Sequence, residues 1–241
     1  MIIDNHVHIG WYSDGYHSPE TIWVNIKNAG IEKIVVSSTT TCADLFNTVI
    51  TEFEVLSCLE DEENIKPVLW ISPKMIKEEK SLSMMLNSKI KWKGLKLHYI
   101  SHPEFCENSR MVDEVLDVSR CLGSAPILLH TGEWESCHAA VFESMIAQNP
   151  DLKFVLAHGR PIKETIVLMK KYSNVWTDTA FMPIKDLKKL KKEGLTPKVL
   201  FGTDAPINQI YYPDLSTVEY LKLKIEEVRR IEPSILENTV Y

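Results

Sequence analysis

Short apolar runs alternate with longer stretches of helical periodicity from one end of the chain to the other. The runs lie near residues 2–7, 32–37, 66–71, 93–98, 125–130, 153–158, 174–178 and 198–203. Being apolar on both faces, they predict strands of a parallel sheet covered by helices. Between them the pattern predicts helices near 19–29, 42–60, 78–89, 110–121, 136–148, 161–172, 184–193 and 215–231. Ser18-Pro19-Glu20 reads as a helix cap with proline at the first helical position, and Ser136 and Asp214 read as further caps. Ala29-Gly30 and Glu193-Gly194 read as glycine stops. Eight strand–helix units in 241 residues predict an α/β fold, a (β/α)8 TIM barrel. No repeat or linker divides the chain, so residues 1–241 are expected to form a single domain.

The polar residues that end these runs change the picture from fold to chemistry. The first run meets His6-Val7-His8, the fourth ends in Lys96-Leu97-His98, and the fifth and sixth stop at His130 and His158. The last two lead to Asp178 and Asp204. In a parallel barrel the strand ends gather on one rim, which holds the active site. Side chains two apart on a strand share a face, so His6 and His8 both point inward. With His130, His158 and Asp204 at later strand ends, the set suits a divalent cation, zinc foremost and manganese next, with a position left for water. The alternative is a group of separate core histidines, each satisfied by its own hydrogen bond.

Composition narrows the partners. A net charge of −6 argues against a general nucleic-acid binder. No apolar run approaches the roughly 20 residues of a membrane span, and Asp4 interrupts any leader-like start. Five widely spaced cysteines, without a Cys-x-x-Cys, fit free thiols in a reducing compartment, so a cytoplasmic location is expected. A small-molecule substrate is the expected partner. The sequence leaves the assembly open, a homodimer included.

The residues also carry a resemblance. Asp4-Asn5-His6-Val7-His8, Lys93-Gly94-Leu95-Lys96-Leu97-His98, His130-Thr131-Gly132, Ala157-His158-Gly159, Thr177-Asp178-Thr179 and Phe201-Gly202-Thr203-Asp204-Ala205-Pro206 resemble, in order and placement, the amidohydrolase superfamily and its amidohydrolase-2-like branch. The resemblance implies a barrel with one or two divalent ions, bound by His6, His8, His130 and Asp204. It implies that Asp204 also handles a proton, and that His158 binds a second ion or polarises substrate. Lys96 resembles the lysine that is carboxylated and bridges two metals in binuclear members; otherwise it is an ammonium that binds an anionic substrate or pairs with Asp204. His98 is expected beside the site or lining it. Trp11 and Glu133 could contact substrate, and Arg160 could clamp a substrate carboxylate or bridge to the next helix. Asp178 is expected to orient a ligand rather than bind metal, and His17, His102 and His138 are expected at the surface.

The expected function is hydrolysis of an amide, ester or lactone bond of a small molecule by metal-activated water. The alternative within the superfamily is non-oxidative decarboxylation on the same ligand set. His6-Val7-His8 with Ser13-Asp14-Gly15 is also similar to the opening of PHP-type phosphoesterases, but Val35-Val36-Ser37-Ser38-Thr39 lacks their second Asp-His pair. A non-enzymatic binding barrel is the remaining alternative.

Overall fold

The computed structural model describes residues 1–132 and 134–241. Its strands are β1 (Ile3–Tyr12), β2 (Gly15–His17), β3 (Lys33–Ser38), β4 (Ile65–Trp70), β5 (Gly94–Leu97), β6 (Ile127–His130), β7 (Phe154–Ala157), β8 (Val175–Asp178) and β9 (Val199–Leu200). All but β2 run parallel, in the order β1-β3-β4-β5-β6-β7-β8-β9, with helices between them. Beyond β9 the chain pairs with β1. The Asn5 and His8 amides donate to the carbonyls of Phe201 and Ala205, and Asp204 N–H donates to His6 O, each at 2.7 Å. These bonds close the ring, and the chain forms the expected (β/α)8 barrel.

The closure is secured by side chains as well. Asn5 Nδ2 donates to the carbonyls of Phe201 and Asn238, both at 3.0 Å. Asp4 accepts the Thr203 hydroxyl at 2.6 Å and the Thr203 and His6 amides at 3.1 Å. Asp4 is fully buried, and burial raises its pKa to about 7. Register places Trp70, Lys96, Leu128, Val155 and Trp176 in one row across neighbouring strands. Leu128, Val155 and Leu200 form an apolar cluster with Trp176 and Tyr241. The larger core joins the helices to the opposite faces of the strands, through residues such as Ile34, Leu95, Leu129 and Leu156.

Several local expectations meet the structure differently. The first strand was expected to stop near residue 7 but runs to Tyr12 and returns as an antiparallel hairpin, Trp11 facing Tyr16. Ser18 caps its helix as expected, accepting the Thr21 amide at 3.2 Å. For Thr217–Ile231 the cap is Ser216 rather than Asp214, because Glu219 reciprocates in a capping box. The helix expected over 136–148 shrinks to Glu143–Gln148, preceded by 3-10 turns. There the Ala139 and Ala140 amides donate to Arg160 O and to Glu164, not along a helix. His102, expected at the surface, is buried against Phe105. No helix among the described residues is long and apolar enough to cross a membrane.

Candidate metal centre

Two imidazoles are aimed by what lies behind them. His6 Nδ1 lies 2.9 Å from Asp178 Oδ2, and His8 Nδ1 lies 3.0 Å from the Ser37 hydroxyl and 3.3 Å from its carbonyl. With a carboxylate or carbonyl behind each Nδ1, each Nε2 faces inward. Burial, with the nearby Lys96 charge, lowers the His8 pKa to about 3, so this ring is neutral. Asp204 Oδ1 lies 2.9 Å from His8 Nε2 and 3.4 Å from His6 Nε2. Even so, this buried oxygen has no hydrogen-bond partner among the described residues. Two imidazole nitrogens and a carboxylate oxygen therefore crowd together in a buried cluster. Burial pushes the Asp204 carboxyl up, but His6, His8 and His158 hold it well below the usual carboxylate range. Two imidazole nitrogens and a carboxylate oxygen within 4.8 Å of one another form a donor set that fits a divalent cation.

Lys96 marks the same spot from the other side. Its Nζ lies 3.0 Å from His8 Nε2 and 3.2 Å from His6 Nε2, and 4.2 Å from the centre of the Trp70 ring. Full burial brings its pKa down to about 8. No ion pair joins Lys96 to Asp204 among the described residues, so that expected pairing is replaced by contacts to the two histidines.

Asp178 serves as an orienting group. Its Oδ2 holds His6, and its Oδ1 accepts the backbone amides of His158 and Ala180, each at 3.0 Å. Though grouped within ligand distance of His6 and His158, it has both oxygens engaged. His158 and Asp204 adopt left-handed backbone, at φ +68° and +61°. Such non-glycine conformations cost about 1–3 kcal/mol each and persist where the surroundings impose them, often at functional sites. His158 Nδ1 lies 3.1 Å from Ala180 O, and its Nε2 is 3.9 Å from Asp204 Oδ2. Burial lowers its pKa to about 4, so the ring is neutral and Nε2 accepts rather than donates.

These groups open into a cavity of about 800 Å³. His130 lines it outside the His6–His8–Asp204 grouping, its ring 4.9 Å from that of His158. Its ring also lies 3.9 Å from His98, which stacks on Trp70 at 5.0 Å. Arg160 also lines the cavity and donates to Phe181 O at 3.2 Å. Trp11 stands at the mouth, about half exposed. Glu133 lies outside the described residues.

Residues 107–228, just over half of the chain, match the amidohydrolase family model. The chain belongs to the amidohydrolase family. No curated protein sequence matches this amidohydrolase. Among solved structures it is similar to an amidohydrolase from Burkholderia multivorans with bound zinc, at 12% identity and TM-score 0.69, covering 98% of this chain and 95% of that one. It is also similar to a probable 2-pyrone-4,6-dicarboxylic acid hydrolase from Acinetobacter baumannii, at 14% identity and TM-score 0.66, covering 95% and 91%. A third is 5-carboxyvanillate decarboxylase from Sphingomonas paucimobilis, at 11% identity and TM-score 0.54, covering 99% of both chains. At these identities the likeness shows the shared fold.

Sequence reasoning missed several residues that shape this amidohydrolase's cavity. Trp70 lies under Lys96, and the Phe181 and Tyr211 rings meet at 4.7 Å, tilted by 53°, on the wall. Trp70 ends an apolar run as the histidines do, which was a usable signal. Phe181 sits in a turn and Tyr211 at the end of the one-turn helix Asn208–Tyr211, neither with periodicity to reveal it.

Proposed function

We propose that this chain is a metal-dependent hydrolase that cleaves an amide, ester or lactone bond of a small molecule. The observation that carries the reading is the convergence of one ligand atom each from buried His6, His8 and Asp204 within 4.8 Å of one another. These three atoms would hold the ion, with zinc the first expectation and manganese the second. A divalent ion bound there supplies Lewis acidity, which can bring the pKa of water from about 15.7 to about 7.

The protein's own groups do the rest. Asp204 is ionised and placed to take a proton at Oδ2, the oxygen turned toward His158, and to return it to the leaving group. His158 Nε2 orients a donor such as water, or serves as a ligand for a second ion. Lys96 provides positive charge at the floor, and Arg160 at the wall is the proposed anchor for a substrate carboxylate. The rings of Trp11, Phe181 and Tyr211 cover apolar substrate and keep bulk water out.

The test combines metal analysis of protein purified without chelator with a panel of lactones, esters and amides. Stoichiometric metal and metal-dependent water consumption are expected. Release of carbon dioxide without water consumption would transfer the assignment to decarboxylation. Metal-free protein that turns over substrate at full rate would overturn the metal role.

A further inference from the structure

A glutamate is buried inside the core. Glu52 lies on the helix Phe46–Leu59 among the core residues Val49, Phe53 and Leu56, and is only 2% exposed. No ion pair reaches it among the described residues. A buried carboxylate without compensating partners is strongly disfavoured. Its partners are hydroxyls: Ser38 donates to Oε2 at 2.5 Å and Thr40 donates to Oε1 at 2.7 Å, and Tyr16 lies near enough to influence its titration.

Those hydroxyls lead directly to the cavity mouth. Thr40 Oγ1 accepts the Trp11 backbone amide at 3.0 Å, and the Ser38 hydroxyl accepts the Thr40 amide at 3.1 Å. Gly10, where β1 leaves the barrel, has φ +97°. A Cβ there would lie 2.3 Å from Thr40 Oγ1 and 2.7 Å from Ser38 Oγ, so the hairpin base is pressed onto this group. One hairpin strand is thus tied through Trp11 and Thr40, and the other follows by pairing with it, Tyr16 opposite Trp11. A two-stranded hairpin is marginally stable by itself and needs such a seat.

We propose that Glu52 is a positioning residue that seats the β1–β2 hairpin and thereby fixes Trp11 and Tyr12 over the cavity. Its hydroxyl partners select one place for the hairpin, and the rings at the mouth then set which substrates fit beneath. The placement is a property of the folded chain; its meaning for turnover rests on the proposed function.

The test uses the full chain labelled with 5-fluorotryptophan, the Trp11 resonance being assigned with Trp11→Phe. Glu52→Gln keeps the volume but presents an amide N–H₂ where a hydroxyl needs an acceptor. Thr40→Val removes the link to Trp11 without changing the carboxylate. Both variants are expected to shift and broaden the Trp11 resonance, leaving those of Trp23, Trp92 and Trp176 and the zinc stoichiometry unchanged. Thr40→Ser should restore the wild-type signal. With a substrate found by the panel, KM should rise while kcat holds. A wild-type Trp11 resonance in folded Glu52→Gln and Thr40→Val proteins would overturn the seat. A shifted resonance with KM and kcat both unchanged would overturn its role as a substrate cap. If no panel substrate turns over, the proposed hydrolase function fails while the resonance alone still decides the seat.

Discussion

Asp178 holds His6 from behind, Oδ2 to Nδ1 at 2.9 Å, with both groups buried. The pair fixes which imidazole nitrogen faces the cavity. Asparagine at position 178 offers one acceptor oxygen, which cannot serve both His6 and the amides of His158 and Ala180. Asp178→Asn should therefore weaken zinc binding about 10–100-fold, the usual effect of losing a partner behind a metal ligand. Competition with a chromophoric chelator measures this. Unchanged affinity would show that His6 needs no such support.

Removing the ligands themselves should act more sharply. His6→Ala combined with His8→Ala leaves Asp204 as the only member of the convergent set. Metal analysis of the purified double variant should find no stoichiometric ion. Full metal content there would place the site elsewhere.

Asp204→Asn separates binding from proton transfer. Asparagine keeps the shape and one ligand oxygen but cannot accept a proton. With metal retained, kcat should fall by about 10²–10⁴-fold while KM changes little, as for the loss of a general base. Near-normal turnover by the metal-loaded variant would remove Asp204 from the proton-handling role.

Asp4 makes a stability prediction independent of catalysis. Burial raises its pKa from 3.8 to about 7. Between those values the unfolded chain has released a proton that the folded chain still holds. The Asp4 contribution is thus most favourable below pH 3.8 and is lost as pH rises through about 7. Buried neutral histidines act in the opposite sense, so the informative quantity is the difference from Asp4→Asn. Calorimetric melting of wild type should lose stability relative to Asp4→Asn as pH rises across this window. Parallel pH profiles for the two proteins would exclude the effect.

Much of this architecture was written in periodicity. Buried parallel strands leave uninterrupted apolar runs, so the barrel and the rim residues His6, His8, Lys96 and Asp204 could be located from the chain alone. The seam was harder to read, because β9 is short and Asp204 turns the backbone left-handed while pairing continues to Ala205. The hairpin was hidden because Gly10 to Tyr12 prolongs β1 with no turn residue before Ser13-Asp14-Gly15, which reads equally well as a loop. His130 shows the limit of strand-end reasoning. The position brings a residue to the rim, but its ring contacts with His98 and His158 were not readable from the chain. Glu52 had no sequence signal, since its hydroxyl partners come from the end of β3 and the 3-10 turn after it.

The ring closure gives the proposed ion a second consequence. His6 and His8 lie on the first strand, and Asp204 lies on the segment bonded to it at the other end of the sequence. An ion gripped by all three would act as a clasp across the seam, fastening the two ends of the chain together. Its donors gather only once the last strand has docked, so ion capture would report completion of the ring during folding. Conversely, strain that springs this seam would discharge the ion before the remaining strands part.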